Sequence, residues 1–247
     1  MMKAMIFAAG KGTRLQPVTD KIPKALVNVG GKPLLEWLLL KIYASGIKDI
    51  VVNVHHKAEQ VIYFLNKFNL PGIHIQISDE SDLLLDTGGG LKKAYNLFKG
   101  TAPILVHNVD ILSNINFKQL EDEFLKSDAA ALLVVKNRNT NRKLEFSDNN
   151  LLAGWRNEKT GKHITTKAYD NNVHALAFSG ISVVSADFPA LIKEDGVFGL
   201  IPACLKLADE VVIKKFELNH EWLDVGKPEV LPDAEKFIQT HYNIFKK

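Results

Sequence analysis

The chain has 247 residues, is 46% hydrophobic and 24% charged, and carries a formal net charge of +3. That balance describes a globular protein with a sizeable core and excludes the massed basic charge of a nucleic-acid binder. Cys204 is alone, which excludes an intrachain disulfide and a cysteine-based zinc site, and no apolar run approaches the ~20 residues that cross a bilayer.

Residues 3–7, Lys-Ala-Met-Ile-Phe, form an apolar run that predicts a buried strand. It opens into Ala8-Ala9-Gly10-Lys11-Gly12-Thr13-Arg14, a Gly-rich loop with fixed positive charge. Glycines let the backbone approach an anion, and Lys and Arg supply charge for phosphate oxygens. A helix is predicted over 33–43, with Pro33 in its first turn and Gly46 at its stop. A β-branched strand follows over 49–54, a helix over 58–68 and an alternating strand over 73–77. A helix over 91–98 opens after Gly88-Gly89-Gly90, and a strand over 103–107 ends at Asn108-Val109-Asp110. A helix over 117–126 and a strand over 129–135 complete the regular half. Such alternation predicts an α/β fold in three layers, a mostly parallel central sheet with helices on both faces.

The second half is less regular. A hairpin is expected over 142–155, turning at Asp148-Asn149-Asn150, then a polar excursion over 159–172. A strand over 174–184 holds Gly180, helices cover 190–192 and 200–208, a strand covers 210–218, and a helix over 228–241 closes the chain. No repeat or linker divides these segments, so one domain over 1–247 is expected, with 142–172 as an insertion over one end of the sheet. Ile6-Phe7-Ala8-Ala9 is too short an apolar stretch for a secretory leader, so the expected setting is a reducing cytoplasm. Cys204 lies in an apolar stretch and reads as a buried, inert thiol.

In an open α/β sheet, ligands bind beyond the carboxyl ends of the strands. Four polar clusters fall there: Gly10–Arg14, Asp86–Gly90, Asn108–Asp110 and Leu223–Gly226. The first fails the P-loop spacing, and Leu15 stands where a dinucleotide fingerprint needs its third glycine. The connection from Gly10 to the next helix runs about twenty residues, and loops of that length are usually functional. Asp110 and Asp224, each after an apolar run, suit a Mg²⁺ site completed by substrate phosphates, although each could instead cap a turn. The triple glycine could approach a base or a ribose, or serve packing alone. His55 and His56 are adjacent and point to opposite faces of an extended chain, so they make no shared metal site.

Gly10-Lys11-Gly12-Thr13-Arg14-Leu15-Gln16-Pro17-Val18-Thr19, followed by Pro23-Lys24-Ala25-Leu26, resembles the signature of the sugar-1-phosphate nucleotidyltransferases. The likeness continues through Gly31–Leu35, Thr87–Gly90, Asp110 and Trp222-Leu223-Asp224-Val225-Gly226, nearly the whole chain. It is most similar to the small bacterial branch with N-acetylmuramate-1-phosphate uridylyltransferases and mannose- or heptose-1-phosphate guanylyltransferases. The resemblance implies a Rossmann-like nucleotidyltransferase fold, with a nucleotide-binding half over 1–135 and a sugar-phosphate-binding half over 136–247. It implies transfer of a nucleotidyl group from an NTP to a sugar 1-phosphate with release of pyrophosphate. UTP with a hexose or N-acetylmuramate 1-phosphate is the favoured pair.

Carried over position by position, Arg14 would meet the triphosphate and Lys24 the α-phosphate. Asp110 and Asp224 would hold Mg²⁺. Ala8, Ala9, Gly10, Gly12, Thr13 and Asn108 would contact the nucleotide, Gly88 would lie near the base, and Gly180 would leave room for the sugar. The chain departs from the family at Val109, where Gly or Ala is usual and a β-branched residue could crowd the substrate. Alternatives that keep the motifs are guanylyl transfer to mannose or heptose 1-phosphate, cytidylyl transfer to phosphocholine through an aromatic cage drawn from Trp155, Tyr169, Phe178 and Trp222, and a silent nucleotide-sugar sensor. Neither the base nor the oligomeric state is readable, and no membrane or nucleic-acid partner is expected.

Overall fold

The computed structural model describes residues 1–217 and 220–246. Its centre is a ten-stranded mixed sheet. The strands are β1 (Lys3–Phe7), β2 (Asp49–Val54), β3 (His74–Asp79), β4 (Ile104–Asn108), β5 (Ala131–Lys136), β6 (Arg142–Phe146), β7 (Leu152–Asn157), β8 (His163–Thr165), β9 (His174–Val184) and β10 (Ile213–Glu217). Across the sheet the order is β8-β7-β6-β9-β4-β1-β2-β3, with β5 pairing both β9 and β10. The first-half strands β4, β1, β2 and β3 run parallel, because a helical crossover returns each strand to the same end. Strand β9 is antiparallel to β4, β5 and β6 and joins the two halves.

The alternation of β1 explains the layers. Ala4 and Ile6 face a core layer filled from α1 (Leu34–Ala44), α2 (Ala58–Lys67) and α4 (Phe117–Lys126). Met5 and Phe7 face the opposite layer, supplied by α3 (Asp86–Ala94), α5 (Phe188–Leu191) and α6 (Leu200–Leu207). A third cluster seats α7 (Leu231–Thr240) against Trp37 of α1, whose ring lies 5.0 Å from that of Phe245. Cys204 is buried in the second layer, where desolvation pushes its thiol up to about 12.

Several boundaries differ from expectation, each for a local reason. Pro33 is extended and pairs with Asn28 in a two-residue ribbon, so α1 begins at Leu34. Gly88-Gly89-Gly90 do not precede a helix; they lie inside α3, because their bare α-carbons admit a neighbouring segment. The excursion after the hairpin contains β8, which extends β6–β7 by a third strand. The last strand begins at Ile213, and the expected end at Leu218 lies outside the described residues. Residues 111–113 and 222–224 form a separate antiparallel ribbon that periodicity did not announce.

Candidate active site

The Gly-rich loop leaves β1 and is held from beneath. Asn53, a polar residue within the apolar strand β2, accepts the backbone N–H of Ala8 at 2.7 Å and of Ala9 at 3.3 Å through Oδ1. Its Nδ2 donates to Glu80 Oε1 at 2.8 Å, and Glu80 Oε2 accepts the N–H of Leu85 at 3.0 Å. Asn53 and the fully buried Glu80 therefore tie the Gly-rich loop to the segment leading into α3. A half-satisfied buried network would cost more than none, and here both side chains have partners. Further along, Gly12 has φ +66°, and a Cβ there would stand 2.9 Å from Thr19 Cγ2 and 3.0 Å from Lys24 Cβ. Thr19 Oγ1 donates to the Gly12 carbonyl at 2.9 Å, so the loop closes on the short turn that carries Lys24.

Two carboxylates far apart in sequence meet through the ribbon. Ile111–Ser113 follows β4 directly and pairs with Trp222–Asp224, placing Asp224 opposite Ile111. The Val225 N–H donates to the Asp110 carbonyl at 2.8 Å, which fixes the register. Lys24 Nζ pairs with Asp110 Oδ2, and an Arg14 guanidinium nitrogen lies 3.5 Å from Asp224 Oδ2. Burial raises the Asp224 carboxyl above the ordinary carboxylate range, and the Asp110 charge raises it further, against the pull of Lys24 and Arg14. Asp224 Oδ1 is buried without a hydrogen-bond partner. An orphaned carboxylate oxygen beside a second carboxylate fits a hard divalent cation that takes its other ligands from substrate phosphates and water. Among the described residues no group of three or more His, Cys, Asp or Glu side chains could hold a metal, so two carboxylates are what the protein offers.

Two cavities meet at the sheet end. One, of about 440 Å³, is lined by Ala8, Ala9, Gly10, Gly12, Thr13 and Arg14, and closed by Lys24, Asn108 and Asp110. The other, of about 500 Å³, reaches over the β6–β8 strands and is lined by Arg138, Arg142, Lys162, Trp155 and Phe178. They share Phe7, Asp86, Thr87 and Asn108, so they form one continuous cleft. Gly180 lines the second cavity at a bulge in β9, with φ +73°, and a Cβ there would stand 2.9 Å from Asn108 Nδ2.

Most residues singled out from the sequence line this cleft; Asp224 adjoins it through Arg14, and Gly88 and Val109 depart from expectation. Gly88 does not open on it: its N–H donates to the Phe198 carbonyl at 2.9 Å and its α-carbon packs under the Phe198 ring. Its neighbours Asp86 and Thr87 line the cleft instead. Val109, expected to crowd the substrate, is absorbed in the first core layer at 4% exposure, although it still contributes to the cavity wall. Sequence reasoning missed Asn53, Glu80 and Arg138. A polar residue inside an apolar strand was the available signal for Asn53; Glu80 and Arg138 sit in polar stretches that look like ordinary loops. The proposed aromatic cage does not assemble. Trp155 and Phe178 line the second cavity, but Trp222 lies under Arg138 and Tyr169 packs edge-on to His163, 5.3 Å between ring centroids.

Comparison with known proteins agrees with this geometry. Residues 3–146 match the nucleotidyl transferase family model. The chain is 31% identical, over 95% of its length and 97% of the relative's, to N-acetylmuramate alpha-1-phosphate uridylyltransferase of Neisseria meningitidis serogroup B. It is 28% identical to mannose-1-phosphate guanyltransferase of Yarrowia lipolytica over 92% of its own length and 61% of that longer chain. In fold it is similar to HddC from Yersinia pseudotuberculosis complexed with GMP-PN, with a TM-score of 0.73 at 22% identity over 96% of this chain and 99% of that one. It is similar also to UDP-glucose pyrophosphorylase from Acinetobacter baumanii, with a TM-score of 0.75 at 17% identity over 99% and 96% of the two chains. On the family match over residues 3–146 and the near-full-length identity to the uridylyltransferase, the chain belongs to the nucleotidyl transferases.

Proposed function

We propose that the chain transfers a nucleotidyl group from an NTP to a sugar 1-phosphate and releases pyrophosphate, with UTP and N-acetylmuramate 1-phosphate or a hexose 1-phosphate as the substrate pair. The observation that carries this reading is the charged cluster beside the first cavity, where Arg14 and Lys24 stand against Asp224 and Asp110. The NTP would occupy the cavity lined by Ala8–Arg14, with its phosphates toward Arg14 and Lys24. Asp110 and Asp224 would hold Mg²⁺, which supplies charge neutralisation when bound. An oxygen of the sugar phosphate attacks the α-phosphorus in line, and the bond to pyrophosphate breaks with its electron pair leaving on the bridging oxygen. That nucleophile is already ionised near neutral pH, since a phosphate second pKa is about 6, so no general base is needed. Arg14 and Lys24 offset the repulsion between two anions and hold them for reaction.

Arg138, Arg142 and Lys162 face the second cavity with Asp86 as its carboxylate, which supports an anionic acceptor and opposes a phosphocholine cage. The same excess of positive charge favours N-acetylmuramate 1-phosphate, which carries a lactyl carboxylate in addition to its phosphate, over a hexose 1-phosphate without one. A reducing cytoplasm is the setting this reading assigns. Pyrophosphate release over a panel of UTP, GTP, CTP and dTTP against sugar 1-phosphates and phosphocholine, with Mg²⁺, tests the reading. Lys24→Ala and Asp110→Ala should each lose about 10²- to 10³-fold in turnover while keeping the fold. Normal turnover by either folded variant would overturn the assignment.

A further inference from the structure

Resting on the transfer reading above, we propose that Arg138 is a catalytic residue of the acceptor side: its guanidinium receives the phosphate of the sugar 1-phosphate and aims it at the carboxylate pair. Arg138 follows β5 and projects into the second cavity. Two contacts fix its plane. One terminal nitrogen donates to the Phe178 carbonyl at 3.0 Å, and the guanidinium carbon lies 4.4 Å from the centre of the Trp222 ring. Neither contact neutralises the charge. Nε is buried with no hydrogen-bond partner, and the Phe178 carbonyl takes only one terminal N–H, so the side chain lines the cavity with donors to spare. Such an arginine, stacked and with free N–H groups, is suited to bidentate binding of a phosphate.

Its placement relative to Asp224 follows from the ribbon. Trp222 and Asp224 are two apart on one strand and therefore face the same side, about 6.5–7 Å apart along it. A guanidinium lying on the Trp222 ring is thus held beside the Asp224 carboxylate, whose charge reaches it and opposes the desolvation of Arg138. The other strong cations are engaged elsewhere: Arg14 with Asp224 and Lys24 with Asp110, both on the nucleotide side. Arg142 and Lys162 also line this cavity, but from β6 and the residue before β8, at the far edge of the sheet from β1. Arg138 touches the element that carries Asp224 and the strand that carries Gly180, so a phosphate bound to it is held toward the carboxylate pair. It transfers no proton; the bond forming is from acceptor oxygen to α-phosphorus, and the bond breaking is to pyrophosphate.

The test compares Arg138→Ala and Arg138→Lys with the unaltered protein in steady-state pyrophosphate release, together with calorimetric NTP binding in the absence of acceptor. Arg138→Ala should raise the acceptor KM about 10- to 100-fold and lower kcat about 10-fold, with NTP affinity within twofold of the parent. Arg138→Lys, which keeps the charge and loses the fork, should fall between. An unchanged acceptor KM in Arg138→Ala overturns the inference and leaves the transfer reading standing. Equal losses in acceptor KM and NTP affinity, with a lowered melting temperature, assign Arg138 a structural role and overturn it as well. Absence of pyrophosphate release by the unaltered protein across all acceptors removes the transfer reading and this inference together.

Discussion

Replacing Gly88 by alanine separates packing from ligand contact within the glycine run. A Cβ built on Gly88 stands 2.5 and 2.6 Å from two carbons of the Phe198 ring and 2.8 Å from the Gly199 carbonyl carbon. The ring could swing, but the backbone cannot retreat easily, because the N–H groups of Gly88 and Gly89 both donate to the Phe198 carbonyl. Forcing one extra methyl into such a contact costs about 1–3 kcal/mol, and at backbone the upper end applies. Within helix α3, alanine returns about 1 kcal/mol of helix propensity. The net loss is then about 2 kcal/mol, or a fall in melting temperature of about 4–8 °C for a domain of this size. Gly10 is the control. It lines the cavity proposed for the nucleotide, has no protein atom within 4 Å of a built Cβ, and does not occupy the left-handed region. Gly10→Ala should melt within about 1 °C of the parent yet bind NTP about 10-fold more weakly, since its methyl enters the cavity. Scanning calorimetry and NTP titration on both variants make the comparison. A Gly88→Ala protein that melts at or above the parent temperature would refute the packing argument, and so would a Gly10→Ala protein that loses stability while keeping its NTP affinity.

Asn53→Ala should strip the Ala8 N–H and Glu80 of a partner each, destabilising the fold by about 1–3 kcal/mol and weakening NTP binding, as read by urea unfolding and calorimetric titration. His107 is 1% exposed, and burial first, then the neighbouring Lys41 charge, pushes its imidazole down to about 3. An unfolded histidine takes its proton near pH 6.5, so the unfolded chain binds more protons between pH 6.5 and 3. The stability that neutral His107 contributes is therefore complete above pH 6.5 and falls as pH drops toward 3, by up to about 5 kcal/mol. Urea unfolding from pH 7.5 to 4.5 reads this slope, and His107→Gln should flatten it. Cys204, held at about 12 in a buried environment, should fail to react with a thiol reagent at pH 8 until the protein is denatured; rapid labelling of the native protein would contradict its burial.

Much of the molecule was legible along the chain. The apolar strand over residues 3–7 and the amphipathic helix over 117–126 are formed as expected, because local pattern and tertiary packing agree there. The Gly-rich loop was legible for a different reason: the phosphate binding proposed for it needs particular residue types close together, so chemistry and sequence adjacency coincide in Gly10–Arg14. The glycine run was readable as important but not as to its role, since a bare α-carbon serves a ligand or a neighbouring segment equally well. Its partner, the Phe198–Gly199 segment, is remote in sequence. Asn53 and Glu80 escaped because a buried polar residue shows its purpose only when its partners are in place.

By itself, then, the sequence determined the alternation of strands and helices, the two apolar faces of β1 and the charge of the loop, all of which depend on residues within one or two turns of each other. Tertiary structure alone decided how the ribbon brings Asp224 beside Asp110, a pair the sequence joined only through the family resemblance, that Arg138 lies on Trp222, and that the cleft divides into two cavities. Those relations run through the register of a short antiparallel ribbon and a bulge in β9. Backbone hydrogen bonds between distant segments set that register, and the residues of either segment alone do not encode it.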